Sequence, residues 1–399
     1  MLLGGARHQV PAIEAAKRLG YRTVLCDYLP DNPGQYVADV FYQESTTDRD
    51  KMFEIARREH IDGIISFGSD VSAPNAAFIA EELGLATNPL TSVEVLSSKN
   101  LFRPYLKEHG FNCPAFASFS ADASIDNVLN LVSDMAFPVV IKPTDSSGSK
   151  GVSVVESPDE KSVGEALESA REFSRNGMLC AEEFIPYGYP HLLGGDIFVS
   201  DGEVKFWGLM DCLRDKALGG LVPAGKAYPT GLSDAQMKAV RGEISRLVRS
   251  LDLRFGEMNV EVILAPGDRP YVLELAARAG GNMIPVQLSD ISGMDIVEAS
   301  VREAMGDSSA SVSFDGNDRC VATSVLHART SGAFVGVRYD AAIKGHIYRE
   351  MVYVKPGDHV ECLSNGSQAI GLVFMSFDGP GQMRDLLSHV SEHVTVEVA

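Results

Sequence analysis

The sequence is short of positive charge, of clustered cysteine and of long apolar runs. Its 35 Lys+Arg face 54 Asp+Glu, a formal charge of −19. That balance is wrong for a protein that coats nucleic acid. No apolar run approaches the ~20 residues that span a bilayer. The six cysteines (Cys26, Cys113, Cys180, Cys212, Cys320, Cys362) are scattered, with no CxxC, and read as free thiols of a reducing compartment. The opening MLLGGARHQV has neither a charged n-region nor an adequate h-region, so no signal peptide is expected. Repeats and low-complexity linkers are missing too. With 45% hydrophobic residues the chain is too apolar for disorder, and 399 residues at about 150 per domain make two or three domains. An acidic surface still permits an anionic ligand, because a pocket's local field can oppose the net charge.

Residues 1–90 alternate between short β-rich runs and helices. Leu2-Leu3 enters a Gly4-Gly5 turn, Val10 to Leu19 has helical spacing, and TVLCD follows. A helix is expected from Asp48 to His60, with Thr47 and Asp50 placed as a capping box. GIISF (Gly63 to Phe67) reads as a buried strand, and Ala73 to Leu83 as a helix stopped by Gly84. The rhythm implies a parallel sheet covered by helices. Beyond Thr91 come a helix from Ser98 to His109, bent at Pro104, and two strands, FPVVIKP and GVSVV, joined by TDSSGSK. A helix over Glu160 to Ser174 leads to the strand MLCAEEFI. DIFVSDG and EVKFWG form a hairpin at Asp201-Gly202, and Gly219 to Gly231 reads as a loop. A long helix spans Asp234 to Leu251, and NVEVIL and YVLELA pair across Pro266-Gly267-Asp268. A last helix runs from Met294 to Met305, and the tail from Ser311 has the short β runs of a small β-rich unit.

Three motif matches fail on context. His389 to His393 fits HxxEH but runs into the strand-like VTVEV, without the long helix and third ligand a zinc site needs. Gly220 to Ala227 nearly spells a Walker A loop, but Tyr228-Pro229 stands where the phosphate-binding helix should begin. Gly4-Gly5 and Asp27 lack GxGxxG. GxSxG is absent as well, so no nucleophile elbow is expected.

Two constellations carry chemistry. Thr144 to Gly151, flanked by Lys142 and Lys150, can lay backbone N–H groups over phosphate oxygens while lysines offset charge; a common surface hairpin has the same composition. Glu261 and Glu274 lie in apolar strands where an unpaired carboxylate is costly. With Arg278 and Gly280-Gly281 they suit a hard-cation site with a phosphate clamp; a solvated sheet face is the alternative.

Taken in order, Ser98-Lys99, FPVVIKPTDSSGSKG, AEEFI and the acidic strand with Arg-x-Gly-Gly resemble the ATP-grasp superfamily of carboxylate–amine ligases. The likeness extends to L-amino acid ligases, carbamoyl-phosphate-synthase-like proteins and ATP-grasp enzymes of purine synthesis. It implies an α/β fold, α+β in part: a Rossmann-like parallel-sheet domain over 1–92, an ATP-grasp domain over 93–308 with a lid at about 112–186, and a small β-rich domain over 309–399. Catalytic roles fall on Lys142, Arg278 and Glu274. ATP would be bound by Lys99, Lys142, Ser147, Gly148 and Lys150, by the hinge Glu182, Glu183, Phe184 and Ile185, and by His191 or Asp196 at the ribose. Mg²⁺, with Mn²⁺ as a substitute, would sit on Glu261 and Glu274. The family's Glu-x-Asn is here Glu274-Leu275-Ala276, and Asn259, on the face of Glu261 by the period of two, is the compensating ligand. The activity implied is amide formation through an acyl phosphate. Its alternatives are a purine-type ligase, a bicarbonate-activating carboxylase (though no biotin-carrier AMKM-like motif is present) and a non-catalytic nucleotide-binding regulator. Partners implied are small-molecule carboxylates and amines, with no nucleic acid or membrane, in a cytoplasmic homodimer. Arg214, Arg302 and His327 are candidate substrate contacts.

Overall fold

The computed structural model describes residues 1–146, 148–188, 190–215, 221–307 and 312–399. The chain divides into two compact units. The first comprises Met1–Cys113, Gly194–Leu209 and Ser233–Asn317, the second Pro114–Leu193, Met210–Leu232 and Asp318–Ala399.

The first unit begins with a parallel sheet of Leu2–Leu3, Val24–Asp27 and Val40–Gln43 in that order. Alternation along each strand splits its apolar residues between two faces. Leu3, Val24 and Cys26 pack with Met52, Ile55 and Ile79 of the Arg49–Arg58 and Ala73–Leu83 helices. Leu2 and Leu25 pack with Ile13, Phe67 and Val297. The Val40–Gln43 strand escapes the sequence reading because its half-exposed pattern carries no buried run. GIISF forms no full strand. Its partner offers only two residues, so pairing stops at Leu3 N→Ile65 O and Ile65 N→Met1 O, both 3.0 Å. The expected Thr47/Asp50 capping box is replaced by Asp48, whose carboxylate accepts from the Lys51 amide at 3.0 Å.

Two helices, Leu90–Ser97 and Lys99–Glu108, follow, the second holding Pro104. The Asp234–Ser250 helix opens on a Ser233/Gln236 capping box. The Gly256–Ala265 and Arg269–Ala276 strands pair antiparallel, their turn using positive φ at Gly267 and Asp268. Helices Ile284–Ser292 and Ile296–Ala304 come next, the first absent from the sequence reading. The Asp201-Gly202 hairpin is present, with positive φ at both residues as a type I′ turn requires.

In the second unit a four-stranded antiparallel sheet has the order Phe116–Ser120, Met178–Glu183, Val139–Pro143, Ser153–Val155. Val139, Ile141 and Leu179 bury one face with Val163 and Leu167 of the Glu160–Phe173 helix. Within Gly219 to Gly231, read as a loop, Pro223–Tyr228 is a strand between the end of Glu203–Arg214 and Cys320–Leu326. Gly225 makes that possible: at φ +155° its Cα lies so near the neighbouring strand that a Cβ would meet Thr323 O at 2.0 Å. The glycine is a device of the sheet, not a sign of a loop. Residues 318–399 add Gly371–Phe377 and Ile347–Val352 to Cys320–Leu326, plus a small sheet of His359–Val360, Gly332–Tyr339 and Val394–Val398. All six cysteines are free, with Cys26, Cys180 and Cys320 buried. Among the described residues no helix is long and apolar enough to cross a membrane.

Candidate active site

The first unit holds the acidic candidates. Glu261 stands directly opposite Glu274 across the hairpin, and Asn259 opposite Ala276. The register shifts only after Glu261, so these four share one face of the strand pair. Two carboxylates in direct cross-strand register repel each other. Burial pushes the Glu274 carboxyl up; Asp70 and Glu261 add to that, while Lys99 and Arg278 pull it down. Lys99 opens the Lys99–Glu108 helix, which brings its charge to bear on Glu274. The pair concentrates negative charge on one face of the hairpin.

Arg278 offsets part of it. Its guanidinium is buried; Nε donates to Asp70 Oδ1 at 2.7 Å, Nη1 to Ala279 O at 2.8 Å and Nη2 to Glu274 Oε1 at 3.5 Å. Burial opposes its charge, but Asp70 and Glu274 outweigh burial and hold the guanidinium more firmly protonated than usual. Asp70 was not read from the sequence. Its signal is the FGSD that follows the third β-rich run, at the end of a parallel sheet where ligand crevices form. His8, also missed, lies beside Gly68 O at 3.2 Å. Burial holds its imidazole below the usual range against that bond, with Arg278 adding to the depression.

Asp196 is corrected. It has no exposed surface, and both oxygens are engaged: Asn259 Nδ2 donates to Oδ1 at 2.7 Å and the Gly280 amide to Oδ2 at 2.9 Å. It cannot reach a ribose; it holds the glycine turn and Asn259 in place. The approach is tight, since a Cβ on Gly280 would lie 2.6 Å from Asp196 Oδ1. A second buried acid, Glu257, backs it. Burial and then Asp196 push Glu257 well up, and its Oε1 meets no hydrogen-bond partner among the described residues. Its other oxygen accepts from Ser300 Oγ.

The second unit holds the other candidates. Lys142 Nζ lies 2.6 Å from Glu182 Oε2, with side chains 12% and 4% exposed. Antiparallel pairing sets Lys142 opposite Cys180 and Val140 opposite Glu182, which makes the two charges diagonal neighbours. The loop after Lys142 turns through positive φ at Gly148, Ser149 and Gly151. Gly148 O accepts from the Gly366 amide at 3.2 Å, and burial, then Arg175, lowers the Lys150 ammonium. Ser147 lies outside the described residues. In the hinge, the Glu183 amide donates to Ala115 O and the Phe184 amide to Pro138 O, both at 2.9 Å. The Glu183 carboxylate accepts from the Ala136 amide at 2.8 Å. Among the described residues the Ile185 amide meets no acceptor. The His191 amide donates to Gly188 O at 2.6 Å, leaving its half-exposed ring as the remaining ribose candidate. Of the substrate contacts, Arg302 is tied to Glu298 and Asp307 and is structural. Arg214 Nη1 donates to Leu221 O at 3.2 Å. His327 is buried with Nε2 unsatisfied, and burial pushes its imidazole down to about 4.

The donor set fits Mg²⁺ and does not fit an all-protein cage. Among the described residues no three His, Cys, Asp or Glu side chains cluster as metal ligands. Mg²⁺ is characteristically held by one or two carboxylates plus phosphate and water, which Glu261 and Glu274 can provide. Asn259 spends its amide nitrogen on Asp196 and on Gly195 O at 3.0 Å, so only its Oδ1 could ligate.

The profile of one family, carbamoyl-phosphate synthase L chain, ATP binding domain, matches residues 98–311, more than half of the chain. The chain belongs to this family. It is 27% identical over 302 residues to the carbamoyl phosphate synthase large chain of Pseudothermotoga lettingae, covering 74% of this chain and 26% of that protein. It is 30% identical over 190 residues to a formate-dependent phosphoribosylglycinamide formyltransferase of Synechococcus sp. (strain WH7803), covering 47% of this chain and 48% of that one. The chain thus spans about a quarter of the length of the large chains it matches. Among solved structures, L-amino acid ligase from Bacillus licheniformis superposes with a TM-score of 0.82 at 19% identity, over 100% of this chain and 98% of that chain. Phosphoribosylglycinamide synthetase from Anaerococcus prevotii gives 0.75 at 18%, with the same coverage. These likenesses establish the ATP-grasp fold of this family member.

Proposed function

We propose that the chain is an ATP-dependent carboxylate–amine ligase that forms an amide and releases ADP and phosphate. The observation that carries this is the Glu261/Glu274 pair in direct register, with Arg278 and Lys99 acting on Glu274. A substrate carboxylate oxygen attacks the γ-phosphorus of ATP in line, and the bond to the β,γ-bridging oxygen breaks to release ADP. An amine then attacks the acyl carbon of the acyl phosphate, inorganic phosphate leaves and the nitrogen loses a proton. Mg²⁺ on Glu261 and Glu274 would offset phosphate charge. Arg278, held by Asp70, presents a fixed guanidinium to the transferring phosphoryl group; Lys99 and Lys142 offset the α- and β-phosphates; the Gly148 loop excludes water. Asp196 acts only by fixing Asn259 and Gly280. The free cysteines and acidic surface suit a cytoplasmic enzyme acting on small molecules, and a homodimer is the proposed assembly.

The test is phosphate release from Mg-ATP with panels of amino acids, hydroxy acids and amines, followed by mass analysis of the condensation product. ADP release that never depends on a carboxylate overturns the ligase reading. Glu274→Gln is expected to lower turnover by roughly 10²-fold or more, as for loss of a main transition-state charge, and to weaken Mg²⁺ dependence. Unchanged turnover would remove Glu274 from the site.

A further inference from the structure

A second candidate site lies inside the first unit, behind the acidic hairpin. The Ala73–Leu83 helix turns Ala73, Ala76, Ala77 and Ala80 toward a cavity of about 100 Å³. These residues recur at helical spacing on one face, and a row of methyl groups leaves the volume that larger aliphatics would fill. Polar side chains line it as well. Ser300, Glu303 and Ala304 share a face of the Ile296–Ala304 helix, and Glu257 joins them from the Gly256–Ala265 strand. The Ala277–Ala279 segment closes one wall, while Arg278 in its middle sends its guanidinium to Asp70 and Glu274.

Glu303 is the feature that needs explaining. It is 6% exposed, yet among the described residues its carboxylate meets no hydrogen-bond donor and no cation. The charged groups acting on it, Asp201 and Asp307, are both acidic. A buried carboxyl without a partner is costly, and in native proteins such a group calls for a specific account. We propose that this cavity binds a small protonated primary amine, its ammonium on Glu303 and its short carbon chain against the alanine face. The acids exclude carboxylates and phosphates. The volume limits the ligand to a few heavy atoms, and the alanine walls favour an alkyl body over a hydrated divalent ion, whose ligand set is lacking among the described residues. This site is separate from the nucleotide chemistry proposed above and stands or falls without it.

The test is calorimetric titration of the full chain, without nucleotide and at constant ionic strength, with methylammonium, ethylammonium and propylammonium, against ethanol, acetate and tetramethylammonium. Saturable binding of the primary amines only is expected, weakened at least about tenfold by Glu303→Gln, which keeps the side chain's size but loses its charge. Ala77→Val, which fills the cavity, should weaken propylammonium more than methylammonium. Far-ultraviolet circular dichroism identical to wild type shows that each variant is folded. Absence of saturable amine binding to the wild type overturns the proposal, as does equal affinity in folded Glu303→Gln or equal binding of ethanol or acetate. Phosphate release is measured separately, so failure here leaves the ligase reading intact.

Discussion

Glu303 also makes a stability prediction with a defined sign. Burial, then Asp201 and Asp307, raise its carboxyl from 4.5 to about 7. A carboxyl raised in the folded state binds its proton more tightly there than in the unfolded chain. Its contribution is therefore fully present below the unfolded value and is lost as pH climbs toward 7. At about 1.4 kcal/mol per pH unit the shift corresponds to roughly 3 kcal/mol; discounted for solvent screening, it leaves roughly 1–3 kcal/mol. Glu303→Gln cannot ionise, so the variant should match wild type near pH 4.5 and exceed it by that amount at pH 8. The chain has one tryptophan, Trp207, in the same unit as Glu303. Urea unfolding followed by its fluorescence, from pH 4.5 to 8.5, therefore reports on the right unit. A difference between variant and wild type that does not grow with pH would refute the assignment. So would a variant less stable than wild type at pH 8.

Three further outcomes follow from the candidate site. Lys142→Met strands Glu182, whose side chain is 4% exposed, and should cost about 3 kcal/mol; Lys142→Met with Glu182→Met should recover most of that, because replacing a buried pair is tolerated where breaking it is not. Asp70→Asn removes a charge that raises Glu274 and anchors Arg278. The acid limb of the phosphate-release profile should therefore move to lower pH, with a lower kcat from the loosened guanidinium. Asn259→Ala should weaken Mg²⁺ dependence, and adding Ala276→Asn, directly opposite on the same face, should restore part of it; titration of Mg²⁺ against initial rate measures both.

Much of this was legible in the sequence because periodicity and turn chemistry act locally. The Asp201-Gly202 and Gly267-Asp268 turns announce their hairpins, but an unbroken ladder from the second turn would set Glu261 opposite Leu273; the register shift between Glu261 and Val262 is what brings it opposite Glu274. Readings failed where tertiary contact overrides local preference. Pro223–Tyr228 has a loop's composition but is held as a strand by neighbours on both sides, and Gly225 is there because Thr323 O approaches it. GIISF has a strand's composition but meets a partner only two residues long. His8 and Glu257 have no local signature; each matters through residues far along the chain, such as Arg278 and Asp196. Asp196 was misassigned because a lone acid near the hinge looks the same in sequence whether it faces a ribose or is buried under a glycine turn.

The charge count around the hairpin bears on how a nucleotide could be received. Asp70 is matched by Arg278, and Asp196 is held by the Asn259 side-chain amide and the Gly280 amide. Lys99 and Arg278 are the cations that act on Glu274. Glu261 and Glu274 themselves repel a free polyphosphate, which carries charge of the same sign. A divalent cation reverses that sign, because two carboxylates that repel each other in register become a ligand pair. On the proposed function the productive form of the nucleotide is its metal complex, and the acidic hairpin selects for it. The same logic explains why Ala276 is tolerated: with phosphate oxygens and water completing the Mg²⁺ shell, the protein needs to supply two carboxylates, and the amide of Asn259 across the strand stands where a third ligand would add the least repulsion.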